Sequence, residues 1–393
     1  MKILVFSGLH PTNEHGYGGV FMKKRLESYS KYNIDFDVYS FTYNDSIFIK
    51  ALRILLRKPS FSHLPPKLNC IDFTWNFIQV KRGILCLLCK KVFLKKALSA
   101  IFKNVDIMQY DLLSVHWAYP YGYLAKLVKD KCMIPFSLTL HGSDIHTSPQ
   151  KKHSIKRYTV SALNHADTCI FVSHRLRESA IKLGYRNDNS VVIPNGYDST
   201  DFCYLDKSIA KSELDIKSRY LVGFVGNLVD IKNVLKLPDI FRHILNGMPD
   251  VEFVIIGEGE LGSKVKKRIL DFKLPCRFTG ALNHNEVALY MQAMDAMILP
   301  SKNEGFPCVC IEARACGTYV VGSNAGGIPE AIGNKEQIIE LNKDFEANIS
   351  GIIVRILRTG YNPRIIAEDT KSFTWEHVTR DEVEVFKEIA KAK

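Results

Sequence analysis

The sequence contains no apolar segment of membrane-spanning length, because lysines break its longest apolar runs before about 20 residues are reached. It also lacks a secretion pattern, since Met1 to Gly8 has the composition of a buried strand and not a charged start, an apolar middle and a cleavage site. We find no tandem repeat of solenoid length and no low-complexity tract. These absences exclude repeat proteins and membrane-spanning proteins, and we expect folding in the cytoplasm.

Patterns for metal and nucleic acid are also missing. The ten cysteines include a CxxC at Cys86 and Cys89 and a CxC at Cys308 and Cys310, but neither has a second ligand pair at zinc-site spacing. No loop carries an Asp-x-Asp run that would hold a divalent cation, and no nucleic-acid-binding module is recognisable. We therefore predict reduced free thiols, no metal and no nucleic-acid partner.

Acidic residues are almost absent from residues 46–104. This segment has twelve Lys or Arg residues and one acid, Asp72, so it holds nearly all of the formal charge of +12. Apolar residues such as those at 84–88 lie between the bases, which suits a segment that rests on an anionic bilayer. The alternative is an amphipathic helix pair packed on its own domain, and Lys91 and Lys95 do interrupt the apolar stripe. We predict contact between residues 46–104 and an anionic membrane surface.

The sequence does have a regular alternation of apolar strands and amphipathic helices. Its 393 residues are too many for one compact core. Alternation of this kind predicts two α/β domains with doubly wound parallel sheets, at 1–200 and 201–375, joined near 196–215, with a final helix at 376–393 that packs back on the first domain. The predicted strands are Lys2–Ser7, Asp35–Phe41, Leu112–His116, Phe136–Leu140, Thr168–Val172 and Val191–Pro194, then Tyr220–Val225, Glu252–Ile256, Cys276–Thr279, Ala296–Leu299 and Tyr319–Gly322.

Two glutamates eight positions apart, Glu304 and Glu312, form the most informative motif. The pattern predicts Glu304 in a loop after a strand and Glu312 about two turns into the next helix, with Pro307 in that helix's first turn. Backbone N–H groups of such a turn attract anions, of which phosphate is the natural example. Two ionised carboxylates accept hydrogen bonds from the hydroxyls of two rings, so the motif favours a nucleotide sugar. A bare pair of glutamates would otherwise indicate ordinary surface residues.

Other loops at predicted strand ends point to the same ligand. Gly18 and Gly19 follow the first strand and precede a helix, so they allow close approach to a phosphate, although such a pair is more often a simple turn. Lys232 lies beside a predicted helix start, where a cation opposes the helix dipole, so a bound anion explains it better than local stability does.

Histidines end two successive strands of the first predicted domain. His116 and His141 are accompanied by Tyr119 and Asp144, and together they indicate a lined substrate site. A lone histidine at a strand end would cap backbone groups. Asp144 either accepts a proton or caps a helix.

These motifs together resemble glycosyltransferase family 4, whose retaining enzymes have two Rossmann-like domains in the GT-B fold. The resemblance extends from Gly18 to Trp375 and is strongest at residues 301–330. It implies that Glu304 binds the donor sugar, Glu312 the ribose and Lys232 the diphosphate, and that His141, Lys232 and Glu304 are the catalytic residues. Since the N-terminal domain binds the acceptor in this family, the resemblance also implies that His116, Tyr119 and Asp144 lie on the acceptor side. The implied donor-contacting residues are Gly18, Gly19, Asn227, Lys232, Glu304, Gly305, Phe306, Cys308, Val309 and Glu312.

One residue departs from the family pattern: Asn227 stands where the family usually has an arginine, so more of the diphosphate charge falls to Lys232. The resemblance implies metal-independent sugar transfer from a nucleoside diphosphate to an acceptor hydroxyl, without a cofactor and by front-face attack. The basic segment favours a lipid-linked acceptor at the inner membrane face, as in bacterial surface polysaccharide assembly, with a soluble acceptor as the alternative. A nucleotide-sugar 2-epimerase and a catalytically silent nucleotide-sugar-binding subunit remain alternative functions.

Overall fold

The computed structural model describes residues 1–10, 19–55, 67–70 and 72–391. In these residues the chain forms two open, twisted sheets with helices packed against them. The first has eight strands in the order β3-β4-β2-β1-β5-β6-β7-β8, all neighbouring pairs being parallel except β3 with β4. These strands are β1 (Lys2–Phe6), β2 (Asp35–Asp45), β3 (Lys67–Asn69), β4 (Thr74–Arg82), β5 (Leu112–His116), β6 (Phe136–Leu140), β7 (Thr168–Phe171) and β8 (Ser190–Val192).

The second sheet has six parallel strands within the described ranges, in the order β11-β10-β9-β12-β13-β14. Its central strands are almost continuously apolar, as expected for a parallel sheet that is covered on both faces. The strands are β9 (Tyr220–Val225), β10 (Val251–Ile256), β11 (Cys276–Gly280), β12 (Ala296–Leu299), β13 (Tyr319–Ser323) and β14 (Ile338–Ile339).

Helices connect these strands, as parallel pairing requires. In the N-terminal half, up to β8, they are α1 (Val20–Tyr29), α2 (Ile47–Leu55), α3 (Ile84–Leu88), α4 (Lys90–Asn104), α5 (Tyr123–Cys132), α6 (Ser143–His146), α7 (Ser148–Lys151), α8 (His153–His165) and α9 (His174–Leu183). In the C-terminal half, from β9 to α17, they are α10 (Lys207–Glu213), α11 (Leu237–Gly247), α12 (Gly262–Asp271), α13 (His284–Ala293), α14 (Cys308–Ala315), α15 (Ile328–Ile332), α16 (Phe345–Thr359) and α17 (Pro363–Glu368). No described helix is both long enough and apolar enough to cross a bilayer.

The last helix, α18 (Trp375–Lys391), returns to the N-terminal half. The chain passes between the halves twice, and the two passages are hydrogen-bonded to each other: Tyr197 N–H donates to Phe373 O and Trp375 N–H donates to Tyr197 O. Phe386 and other apolar residues of α18 then join the core cluster formed by α1, β1 and β2. Burial of this apolar face anchors the end of the chain on the first sheet.

Each sheet has a switch point, where the connections change direction: between β1 and β5 in the first sheet and between β9 and β12 in the second. Ligands of open α/β sheets bind beyond the carboxyl ends of the strands at such points. The motifs around His116 and Glu304 follow β5 and β12, so the topology brings both motifs to the edges where ligands bind.

The fold differs from the sequence prediction mainly in the basic segment. Thr74–Arg82 is a strand paired with β2 that the sequence prediction did not include, and its aromatic and β-branched residues such as Trp75 and Val80 pack into the sheet core. The helix that carries Glu312 begins at Cys308, so Pro307 precedes it and is not in its first turn. Glu312 is consequently its fifth residue, little more than one turn from the start.

Candidate active site

A cleft of about 450 Å³ lies between the two halves of the protein. From the C-terminal half it is lined by Lys232, Glu304, Gly305, Phe306, Cys308 and Val309, all of which the sequence predicts as donor-contacting residues. From the N-terminal half, His141 lines it. The structure therefore brings the predicted sugar, diphosphate and histidine positions around one cavity. The remaining lining residues are Leu9, Phe21, Trp117, Gly142, Ser143, His146, Thr147, Asn195, Ile231, Asn303 and Pro307.

Lys232 and Glu304 form an ion pair inside this cleft. The Lys232 Nζ to Glu304 Oε1 distance is 2.6 Å, and the side chains are 20% and 15% exposed. Lys232 ends a 3₁₀ turn after β9, and the loop after β12 is tied to that turn by the Lys302 N–H to Ile231 O bond. Two loops far apart in sequence thus place a cation and a carboxylate side by side, where a partly desolvated charge pair is strong.

The start of α14 faces the same cavity. Pro307 precedes the helix and no side chain caps it, while Cys308 and Val309 of its first turn line the cleft. Backbone N–H groups of an uncapped first turn carry partial positive charge and bind anionic oxygens. Together with Lys232 they make this part of the cleft suitable for a diphosphate.

Glu312 lies one turn beyond Cys308 on the same face of α14 and outside the cleft lining. Its side chain is half-buried, and burial raises the pKa of its carboxyl to about 7. Near neutral pH it is therefore divided between the protonated and ionised forms, and only the ionised form is purely a hydrogen-bond acceptor.

On the N-terminal side of the cleft, His141 is paired with a second, more deeply buried histidine, His116. His116 is fully buried, and its Nδ1 lies 3.0 Å from His141 Nε2. Burial lowers the pKa of both rings well below the ordinary value, and the positive charge of Arg25 lowers both pKa values further. Both rings are therefore neutral at physiological pH, and one proton lies between the two facing nitrogens.

Asp144 anchors backbone and does not line the cleft. Its buried carboxylate accepts hydrogen bonds from the N–H groups of His141, Gly142 and Ala118, at 3.2, 2.9 and 3.4 Å. Burial raises the pKa of Asp144 to about 6, against the lowering effect of these bonds. Asp144 therefore holds the loops after β5 and β6 together, which is neither of the two roles that the sequence suggested, and no side chain caps α6.

Three further predicted residues lie elsewhere, and a fourth is not described. Tyr119 stacks on Tyr158, with ring centroids 5.7 Å apart, and is not part of the cleft lining. Asn227 is exposed after β9, outside that lining. Gly19 immediately precedes α1 in a left-handed conformation, φ 73°, and its carbonyl accepts bonds from the first turn. Gly18 lies outside the described residues.

Close backbone contact holds the two halves together at the cleft. A Cβ on Gly305 would lie 2.0 Å from His141 O, so only glycine permits this approach. Ser173 Oγ donates to Gly305 O at 2.8 Å, and Glu330 of the C-terminal half accepts the N–H groups of His174 and Arg175. These contacts define a closed arrangement of the two halves.

Asn195 is a cleft residue that the sequence did not single out. It follows β8 in a stretch that reads as an ordinary turn, yet its side chain is only 5% exposed. Its Nδ2 donates to Phe306 O at 3.3 Å, across the boundary between the halves, and its buried Oδ1 has no partner among the described residues. The signal was the Pro-Asn-Gly sequence itself, because asparagine in a tight turn offers both a donor and an acceptor.

The comparisons with known proteins agree with this geometry. The family model of glycosyl transferases group 1 matches residues 206–357, and the model of glycosyltransferase family 4 matches residues 33–201. The putative teichuronic acid biosynthesis glycosyltransferase TuaC of Bacillus subtilis is 27% identical over 354 residues, which covers 88% of this chain and 87% of TuaC. The UDP-Gal:alpha-D-GlcNAc-diphosphoundecaprenol alpha-1,3-galactosyltransferase of Escherichia coli is 27% identical over 284 residues, 68% of this chain and 72% of that enzyme.

Solved structures establish the fold. Sucrose-phosphate synthase from Thermosynechococcus elongatus superimposes with a TM-score of 0.74 at 17% identity, over 100% of both chains. HepE of Anabaena in complex with UDP-glucose superimposes with a TM-score of 0.70 at 19% identity, over 99% of this chain and 100% of HepE. With the two family models covering most of both halves, the chain belongs to the group 1 glycosyltransferases of family 4, and it is a glycosyltransferase with the GT-B fold.

Proposed function

We propose that the protein transfers a sugar from a nucleoside diphosphate to an acceptor hydroxyl with retention at the anomeric carbon. The observation that carries this proposal is the Lys232–Glu304 pair beside the uncapped start of α14, opposite His141 in one cleft. In the proposed complex the diphosphate lies at Lys232 and the first turn of α14. Glu304 then accepts hydrogen bonds from the transferred sugar.

The chemistry requires charge stabilisation on the departing diphosphate. Positive groups fixed before the reaction lower the barrier because they need no reorganisation as charge develops. Lys232 supplies a full charge and the amides of Cys308 and Val309 supply partial charge. We propose that these groups act without a metal ion or a cofactor, and that Asn227 adds at most a neutral hydrogen bond.

Retention is proposed to follow from front-face attack. Glu304 is the single carboxylate among the described residues that line the cleft, and it is engaged by Lys232. A covalent mechanism would need a free carboxylate nucleophile next to the anomeric carbon. Attack on the same face as the departing diphosphate needs none, and closure of the cleft keeps water from the donor.

The acceptor is proposed to be lipid-linked, in assembly of a bacterial surface polysaccharide. The named relatives support this: one has teichuronic acid biosynthesis in its name and the other a diphosphoundecaprenol acceptor. In the described part of residues 46–104, Ile47, Phe48 and Leu88 are 83%, 79% and 77% exposed. Exposed apolar side chains among lysines suit the surface of an anionic bilayer, so we propose that the protein acts at the inner face of the cell membrane.

The transfer assay uses purified protein, a labelled nucleotide-sugar panel and a bacterial lipid extract. The proposal predicts label in the lipid fraction, with the donor's anomeric configuration retained by NMR of the product. Isomerised donor in the absence of acceptor would instead indicate a 2-epimerase. Donor binding without transfer to any extract would indicate a catalytically silent binding subunit. In that case, a gain of turnover in Asn227→Arg would indicate that the subunit is inactive because residue 227 carries no positive charge.

Membrane contact is tested separately by vesicle flotation. Lys90, Lys91, Lys95 and Lys96 are replaced together by Ser, and the matched control replaces four exposed lysines of the C-terminal half, Lys264, Lys266, Lys267 and Lys273. The first variant should leave anionic vesicles while the control stays bound, and salt should weaken wild-type binding. Equal binding of both variants would contradict an electrostatic membrane surface at 46–104.

A further inference from the structure

Glu330 binds the start of a helix in the other half of the protein. It is the third residue of α15 in the C-terminal half, and α9 begins at His174 in the N-terminal half. Glu330 Oε2 accepts the N–H of His174 at 2.7 Å, and Oε1 accepts the N–H of Arg175 at 3.0 Å. The first N–H groups of a helix have no acceptor within the helix and carry partial positive charge, so a carboxylate is a favourable partner for them.

Ser173 makes a second contact at the same helix end. Its Oγ accepts the N–H of Leu176 within α9 at 3.2 Å and donates to Gly305 O of the C-terminal half at 2.8 Å. The hydroxyl proton therefore serves the other half, and an oxygen lone pair serves the helix itself. Among the described residues, one of these N–H groups at the start of α9 is satisfied by its own half, and the other two are satisfied by Glu330.

The loop before α15 also contacts the loop that carries Glu304. Gly327 N–H donates to Glu304 O at 2.9 Å. A Cβ on Gly326 would lie 2.0 Å from Glu304 O, and a Cβ on Gly327 would lie 2.0 Å from Gly305 O, so the two backbones are in direct contact. The loop of Glu304 is thus bound by the Gly326–Gly327 loop in its own half and by the start of α9 in the other half.

The contact between Glu330 and α9 lies close to solvent. His174 is exposed, and Arg175 and Glu330 are half-buried, so water can replace the carboxylate at the two N–H groups. A charge-assisted bond in such a place contributes modestly and reversibly, unlike a fully buried charge pair. Separation of the halves would take both N–H groups and Gly305 O away from their present partners. Glu330 consequently favours closure of the cleft without making it permanent.

We propose that Glu330 is a positioning residue: its carboxylate, bound to the start of α9, holds the two halves closed and thereby keeps Glu304 in one cleft with His141. Glu330 does not line the cleft, so its effect on the reaction passes through the Gly326–Gly327 loop to Glu304. The effect on turnover rests on the proposed transfer function, whereas the effect on closure does not.

Amide hydrogen exchange tests the contact without substrate. The first N–H groups of a helix ordinarily exchange fast, so slow exchange at His174 and Arg175 reports the bonds to Glu330 directly. Glu330→Ala should speed exchange at both positions, while the N–H of Leu176, which bonds to Ser173, should stay protected. Equal exchange of His174 and Arg175 in wild type and Glu330→Ala would overturn the proposal.

Small-angle X-ray scattering tests closure, also without substrate. Glu330→Ala should have a larger radius of gyration than wild type, because the halves separate more often. A wild-type radius of gyration in Glu330→Ala would overturn the claim that Glu330 holds the halves closed. If wild-type protein transfers no sugar, the proposed function fails, and exchange and scattering still decide whether Glu330 closes the cleft.

Turnover separates positioning from a purely structural role. Glu330→Gln keeps one acceptor oxygen but presents an amide NH₂ group to the other N–H, and Glu330→Ala keeps neither acceptor. The kcat for transfer should fall about tenfold in Glu330→Gln, the size of one hydrogen bond to a charged group, and further in Glu330→Ala. Affinity for the free nucleoside diphosphate should be nearly unchanged, because its proposed contacts all belong to the C-terminal half. Faster amide exchange with an unchanged kcat would overturn the positioning role.

Asp206→Ala is the matched control. Asp206 accepts the N–H of Ser208 at 2.9 Å at the start of α10, so it caps a helix as Glu330 does, but within the C-terminal half. Its loss should lower the melting temperature and leave kcat and the exchange of α9 unchanged. If Glu330→Ala does not fold, Ser173→Gly removes the bond to Gly305 O at little cost to the helix and should lower kcat in the same way. Full kcat in Ser173→Gly would then contradict the proposal.

Discussion

Lys232 and Glu304 are 72 positions apart in sequence, and Lys232 Nζ lies 2.6 Å from Glu304 Oε1 in the lining of the cleft. In the absence of a donor each compensates the other's charge. A bound nucleotide sugar offers Lys232 an anionic diphosphate and offers Glu304 sugar hydroxyls. On donor binding, the ion pair between Lys232 and Glu304 is therefore expected to be replaced by two ligand contacts. Substitution of Lys232 should weaken binding of the diphosphate, and substitution of Glu304 should weaken the interaction with the sugar.

Replacement of Lys232 by Ala should weaken donor binding by about 10- to 100-fold, the size of one hydrogen bond to a charged group. Isothermal titration with a nucleotide sugar measures the dissociation constant. Lys302→Ala is the matched control, because Lys302 lies on the neighbouring loop and pairs with Asp230 instead. Equal affinities of both variants would exclude Lys232 from the diphosphate site.

Replacement of Glu304 by Ala should lower kcat/KM by about 100-fold or more, because an interaction at the reacting sugar is lost. The melting temperature should also fall, but far less than activity does, since Lys232 and Glu304 are partly desolvated but still 20% and 15% exposed. Glu260→Ala, at an exposed glutamate of the same half, should leave both quantities unchanged. Full activity of Glu304→Ala would show that Glu304 does not contribute to the active site.

Donor affinity should rise with pH across neutrality because of Glu312. Burial raises the pKa of this carboxyl to about 7, so it is mostly protonated at pH 6 and mostly ionised at pH 8. If the ionised form accepts the ribose hydroxyls, affinity should improve by about tenfold from pH 6 to pH 8 and then level off. The diphosphate diester of a nucleotide sugar stays ionised throughout. Glu312→Gln should give a weaker, flat profile, and an unchanged slope in that variant would assign the effect to another group.

Closure of the cleft should depend on Gly305. A methyl group there would meet His141 O, so Gly305→Ala should push the loop away from the N-terminal half. Small-angle X-ray scattering should show a larger radius of gyration than wild type, and turnover should fall. Gly351→Ala is the control, because a Cβ at this helical glycine meets nothing within 4 Å and should if anything stabilise α16. A Gly305→Ala protein that keeps the wild-type radius of gyration and turnover would show that the closed arrangement is not required for activity.

The sequence predicted most strands of both sheets, because apolar parallel strands stand out from the helices between them. It missed Thr74–Arg82, where the abundance of lysine nearby hid the pattern of Trp75, Ile78 and Val80. Positions of backbone loops were also predictable, since the glycines and the two glutamates follow strands. Which side chains reach the cleft was not, because that depends on three-dimensional packing.

His116 and Glu330 show why side-chain contacts could not be predicted from the sequence. The sequence pattern predicts His116 as a substrate-contacting residue, but its strand is central in the sheet and its side chain is fully buried. There its Nδ1 lies 3.0 Å from His141 Nε2. Glu330 is the third residue of α15, and its carboxylate accepts hydrogen bonds from two backbone N–H groups of the other half. These two hydrogen bonds join residues that are 156 and 155 positions apart, so no local sequence pattern predicts them.

The central claim is that a nucleoside-diphosphate sugar lies between the two halves, with its diphosphate at Lys232 and its sugar at Glu304. Isothermal titration of a nucleotide-sugar panel into wild type, Lys232→Ala and Glu304→Ala tests it most directly. We predict that wild type binds one donor, that Lys232→Ala loses affinity for both the nucleotide sugar and the free nucleoside diphosphate, and that Glu304→Ala loses affinity for the sugar-bearing ligand only. A wild type that binds no member of the panel, or a donor bound equally by all three proteins, would contradict it.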